Sequence, residues 1–112
     1  MNWKDLCILR GSSAALQLKD NFVTSILCGA SSHNDVIESD SIVYVIPNRL
    51  FYKKSIAFLT NNGINEHPIQ VFQKSKVNQW IDKGAFKISK INVEPDEIKV
   101  KLVLIKNPKK NI

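Results

Sequence analysis

A carboxylate and an aromatic ring held a short, fixed distance apart can grip a planar ligand, the acid accepting hydrogen bonds from its edge and the ring covering its face. Asp35 and Tyr44 are nine residues apart within SSHNDVIESDSIVYVIP, residues 31–47. The first part of this stretch is small and polar and carries three acids, Asp35, Glu38 and Asp40. The second, Ile42-Val43-Tyr44-Val45-Ile46, is β-branched and aromatic and reads as a buried strand. A polar loop feeding a buried strand makes a natural pocket wall, and a loop that doubles back sets the acid and the ring around one small planar ligand. The plainer alternative is a core tyrosine and an exposed loop acid.

A second group of residues points to a polyanion. Arg49-Leu50-Phe51-Tyr52-Lys53-Lys54 interleaves cations with aromatic rings, so that the cations neutralise phosphate and the rings offer faces to bases. The bland counterpart is a core Phe51 beside an exposed Tyr52 and solvated lysines. Charge is unevenly placed along the chain. Residues 1–46 hold three basic and five acidic side chains, net −2, and residues 47–112 hold thirteen basic and five acidic, net +8. That asymmetry fits a polyanionic partner for the second half, with a lysine-rich solubilising surface as the alternative.

Other chemistries are mostly missing. The two histidines, His33 and His67, sit in no nucleophile elbow or Cys/His signature, and the four scattered glycines form no phosphate-cradling loop. Metal-ligand spacings of the HExxH and CxxC types are absent, and Cys7 and Cys28 read as small buried apolar residues. The acids at 35, 38 and 40 lack the glycine and terminal glutamate of a calcium loop. One catalytic pattern is present in outline: Glu97-Ile98-Lys99 supplies the E-x-K triplet of a PD-(D/E)xK nuclease, with Asp82 as the first acid. The triplet is short and arises easily by chance in a lysine-rich chain.

The elements that would position these residues fit one domain spanning residues 1–112, since domains usually run about 100–150 residues. The composition, 44% hydrophobic and 23% charged, is that of a globular protein. No apolar run reaches the roughly 18 residues of a membrane span. The first residues lack a secretory layout, which gives an expectation of a cytoplasmic protein. Ser12 or Ser13 could cap a short helix over residues 14–19, and Asp20-Asn21 reads as a turn. Strands are expected over residues 22–27, 42–46, 69–73, 85–91 and 98–105. A short helix is expected over residues 55–60, stopped by Asn61-Asn62-Gly63. Residues 74–78 read as a turn, the last strand as one entering from a solvated sheet edge, and residues 107–112 as a basic tail. The sum is a mainly β, α+β domain, barrel-like, with one or two short helices.

In their order these motifs resemble the SRA domain, the PUA-like module that binds methylated DNA by drawing the modified base out of the helix, and in particular the smaller SRA-like domains attached to restriction endonucleases. In that family a small residue, an aromatic and a run of acids precede a strand carrying an aromatic, as Ser31-Ser32-His33-Asn34-Asp35 and Ile42-Val43-Tyr44-Val45 do here. A short helix, a proline-started strand and an aspartate-glycine turn follow. Their counterparts here are residues 55–59, Pro68-Ile69-Gln70-Val71-Phe72 and Asp82-Lys83-Gly84-Ala85-Phe86. The resemblance covers residues 22–91 and implies a PUA/SRA-like pseudobarrel without catalytic residues or cofactor.

The resemblance also implies site residues. Ser32, His33, Asp35, Tyr44 and Val45 would hold the flipped base, Asp35 accepting from a cytosine's Watson–Crick edge and Tyr44 stacking on its ring. Asn48, Arg49, Tyr52, Lys53, Lys54, Lys74 and Lys76 would meet the DNA backbone. Ser32 stands where the family has a second aromatic, Val45 where threonine is usual, and the loop that enters the duplex is shortened to residues 47–51. These departures leave the modified base open. The expected partner is double-stranded DNA with a modified base, read for a nuclease subunit or domain of a restriction system. A protein-interaction role, such as a phage-type inhibitor or structural protein, and the small nuclease remain as alternatives.

Overall fold

The computed structural model describes residues 1–29, 36–47 and 52–106. Among these residues, two helices and seven strands follow in the order α1 (Trp3–Arg10), β1 (Leu16–Lys19), β2 (Phe22–Cys28), β3 (Val36–Ile37), β4 (Ser41–Pro47), α2 (Tyr52–Asn65), β5 (Ile69–Lys76), β6 (Gln79–Val93) and β7 (Glu97–Leu104). The strands form one mixed sheet in the order β1-β2-β5-β6-β7-β4-β3, in which, among the described residues, the β2–β5 pair is parallel and the other pairs are antiparallel. The expected mainly β architecture is the one observed. Among the described residues the sheet does not close into a barrel, because no ladder joins β1 to β4 or β3.

Helix α1 is specified by its ends. Asn2 caps the start by accepting from the Asp5 N–H at 2.8 Å, and Gly11, at φ 70, donates to the Cys7 carbonyl at 2.8 Å. The helix lies on the outer face of the sheet, where Leu6 packs with Leu27, Phe72 and Trp80. The expected helix over residues 14–19 is instead β1. Leu16 and Leu18 pack against the main core, and Asp20 and Asn21, at φ 54 and 70, form the two-residue turn that folds β1 onto β2. Propensity favoured a helix there; strand pairing overrode it.

The main core lies on the opposite face, where Val23, Ile26, Ile42, Tyr44, Leu59, Ile69, Val71, Phe86, Ile98, Val100 and Leu102 are buried. Helix α2 covers this face, and it runs through the expected stop at Asn61-Asn62-Gly63. Asn62 is 1% exposed and acts as a joint. Its Oδ1 accepts from the Val23 N–H at 2.7 Å, and its Nδ2 donates to the carbonyls of Val23 at 2.8 Å and His67 at 3.1 Å. The helix ends at Asn65, three residues beyond Asn62; Glu66 then takes up the left-handed conformation at φ 51 and the His67 N–H closes onto the Asn62 carbonyl at 2.9 Å.

Three further expectations are corrected. Residues 74–76 continue β5, so Lys74 and Lys76 lie in a strand and the turn is confined to Val77 and Asn78. The aspartate-glycine turn is a β-bulge inside a continuous β6: Val71 pairs with Gly84 and Phe72 with Asp82, leaving Lys83 over, while Asp82 Oδ1 accepts from the Gly84 N–H at 2.9 Å. Finally, β7 lies inside the sheet between β6 and β4 rather than at an edge.

Candidate functional site

Although β1 and β4 are far apart in the strand order, both line one cleft of about 910 Å³. The sheet therefore curls until its two ends face each other, and the cleft is the unsealed seam of the pseudobarrel. One wall is residues 44–47 of β4, the other is residues 14–19 with the end of α1, and Lys54 and Ser55 of α2 complete it. β3 covers β4 only at Ile42 and Val43, which leaves the rest of β4 to the seam. The volume lies in the range of small-molecule and cofactor sites.

Tyr44 and Val45 are on this wall, each nearly buried. Tyr44 belongs to the core cluster and also faces the cleft, so packing fixes its position. Ser32, His33, Asp35, Asn48 and Arg49 lie outside the described residues. Gly29, at φ 72, delivers the chain from β2 to the segment that carries Asp35, and an added Cβ there would meet the Lys74 carbonyl oxygen at 3.7 Å. Lys74 thus sits beside the start of that segment. Tyr52, Lys53 and Lys54 open α2, where Lys54 lines the cleft and its ammonium stands 5.7 Å from the Phe58 ring centroid. Lys76, at the far end of β5, does not line the cleft.

The opposite wall carries residues that sequence reasoning missed. Arg10 is 9% exposed, in the last turn of α1. Its Nε donates to Ser25 Oγ at 2.8 Å, Ser25 Oγ donates to Gln17 Oε1 at 2.5 Å, and Gln17 Nε2 donates back to the Arg10 carbonyl at 2.8 Å. Nη1 and Nη2 are buried with no hydrogen-bond partner among the described residues. Burial lowers the guanidinium pKa, opposed by the charge interactions with Cys7 and Tyr44. Arginine nonetheless stays protonated in proteins. A buried donor left unmade costs about 1–3 kcal/mol, and more when it is charged. The only sequence signal was a lone arginine before Gly11 in a chain whose other cations, Arg49 apart, are lysines.

Among the described residues the cleft lining holds three cations, Arg10, Lys19 and Lys54, and no acid. A second cleft of about 500 Å³ lies against the same Arg10, Gln17 and Ser25, bounded by Gln70 and Asp82, whose side chains are hydrogen-bonded to each other. The nuclease arrangement is not formed. Asp82 pairs near the start of β6, whereas Glu97 follows the far end of that strand at Val93, which is eleven residues and about 36 Å of extended chain from Asp82. Lys99 Nζ instead pairs on the surface with Glu94 at 3.6 Å and Glu97 at 3.5 Å. Among the described residues no cluster of His, Cys, Asp and Glu could hold a metal ion, and no helix is long and apolar enough to cross a membrane.

No protein-family model and no curated protein sequence matches the chain. Solved structures do. The SRA domain of SUVH5, crystallised with fully methylated CG DNA, matches with a TM-score of 0.71 and 19% identity over 93% of this chain and 84% of that one. SUVH6 of Arabidopsis thaliana in complex with SAM matches at 0.68 and 16% identity, and KRYPTONITE in complex with mCHG DNA and SAH at 0.62 and 15%. These two cover 98% and 100% of this chain but 24% and 28% of theirs, so the chain spans about a quarter of their length. The chain has the SRA fold.

Proposed function

We propose that this SRA-fold chain is a non-catalytic DNA-binding module that takes a modified base out of the duplex and holds it in the seam between β1 and β4. The observation that carries the reading is the seam itself, a cleft without acids on its described lining, walled by Tyr44 and Val45. In this reading Asp35, on the segment that follows Gly29, accepts from the base edge, and Lys53 and Lys54 of α2 meet the phosphates beside it. Extrusion of a base costs a few kcal/mol, which stacking, edge hydrogen bonds and phosphate contacts offset. Val45 offers an apolar side chain where a hydroxyl would donate, which favours an apolar substituent or one recognised by another wall.

Cleavage, if coupled to this recognition, belongs to a separate nuclease subunit or domain of a restriction-type system. The test is binding at fixed salt to duplexes that differ only in one modified cytosine, with 2-aminopurine beside that position to report unstacking. The modified duplex is expected to bind more tightly and to raise the fluorescence, and Asp35→Ala is expected to remove both effects. Equal binding of all duplexes with no fluorescence change would leave only a general affinity for polyanions.

A further inference from the structure

We infer that the cleft is built to receive an oxyanion, a carboxylate or phosphate-type group, on the outer end of the Arg10 guanidinium. Nε is committed to Ser25, whose own hydroxyl proton is committed to Gln17, and Gln17 is tied back to the Arg10 carbonyl. This ring of bonds fixes the guanidinium and leaves the Nη1 and Nη2 pair as its uncommitted end, buried and unpartnered among the described residues. Two parallel N–H groups fit two oxygens on one atom, which is the geometry of a carboxylate or phosphate.

Charge selects among possible occupants. No ion pair joins Arg10 to an acid among the described residues, and Lys19 and Lys54 add to the positive lining of the same cleft. A neutral base edge with two acceptors would satisfy the N–H groups and leave the buried charge uncompensated; an oxyanion satisfies the N–H groups and compensates the charge. Arg10 and Tyr44 line the same cleft. A ligand lying on Tyr44 is therefore within the field of the guanidinium.

The inference rests on reading the seam as the base pocket, and it narrows the class of ligand. Either the base substituent is itself anionic or the nucleotide's own phosphate folds back to Arg10. Three duplexes carrying cytosine, 5-methylcytosine or 5-carboxylcytosine at one position separate these sources, with inorganic phosphate titrated in parallel. The readouts are affinity at fixed salt and the side-chain Nε resonance of Arg10, which has only Arg49 for company in the spectrum.

If the substituent is the source, the 5-carboxyl duplex binds about tenfold or more tightly than the 5-methyl duplex, as a charged hydrogen-bond pair requires. Arg10→Gln then erases the preference, and Arg10→Lys, which keeps charge without the paired N–H groups, restores only part of it. If the phosphate is the source, the two duplexes bind alike while inorganic phosphate shifts the Arg10 resonance and competes with both. An Arg10 resonance that moves with neither ligand overturns the inference, and because this is read on the unaltered chain it does not depend on a variant folding. A 5-methyl preference over cytosine with an unmoved Arg10 sinks the oxyanion and spares the base pocket. A phosphate-shifted Arg10 with no preference among the duplexes does the reverse.

Discussion

Two buried polar side chains tie a helix to β2, and they are satisfied to different degrees. Asn62 of α2 binds both backbone groups of Val23 and the His67 carbonyl. Arg10 of α1 reaches Ser25 on the same strand through Nε and leaves two nitrogens without a partner among the described residues. The first is a joint that needs nothing further. The second keeps donor capacity at the wall of a cleft. Buried polar groups in folded proteins are nearly always paired, so an orphaned pair at a concave surface is better explained by a ligand than by stability.

Substitution should separate the two. Asn62→Leu leaves the Val23 N–H and two carbonyls buried and unmet, and it is expected to cost about 3 kcal/mol at roughly 1 kcal/mol for each lost bond, measured by urea unfolding. A cost below about 1 kcal/mol would show that water satisfies the joint and would weaken the contrast. Arg10→Met removes a buried charge that has no partner acid among the described residues, and it is expected to change stability by no more than about 1 kcal/mol in either direction while depressing ligand binding. A large destabilisation would make Arg10 a structural residue like Asn62. Lys54→Ala should do least. It is expected to weaken binding to all duplexes alike and to reduce the slope of log affinity against log salt by about 1, leaving preference among bases unchanged. Loss of preference at Lys54 would place the ligand deeper under α2 than the Arg10 contrast requires.

The same division runs through what could be read from the sequence. Strands β2, β4, β5 and β7 were legible because alternation and β-branched content are local signals, and the Asp20-Asn21 turn because its residues tolerate positive φ. The extent of α2 was not, since Asn62 reads as a helix stop until it meets a strand 39 residues earlier in the chain. The bulge at Lys83 and the interior position of β7 are likewise properties of pairing rather than of any short segment. At the cleft, the β4 wall with Tyr44 and Val45 was visible as a strand after a polar loop. The α1 and β1 wall was hidden, because the role of Arg10 is set by Ser25 and Gln17, which come together only when a misread helix is laid down as β1.

A barrel that leaves its last two staves unjoined has a different mechanical character from one that is hooped all round. Parting the β1 and β4 lips would break no interstrand ladder among the described residues, whereas β5, β6 and β7 are laced on both flanks. Entry of a guest then asks for a small flexing of the lips and no melting of the sheet, and amide protons of β1 should exchange with deuterium sooner than those of β6. Such a jaw adapts its gape to what it holds, so relatives built on the same frame can come to prefer guests of different girth by altering the lips alone.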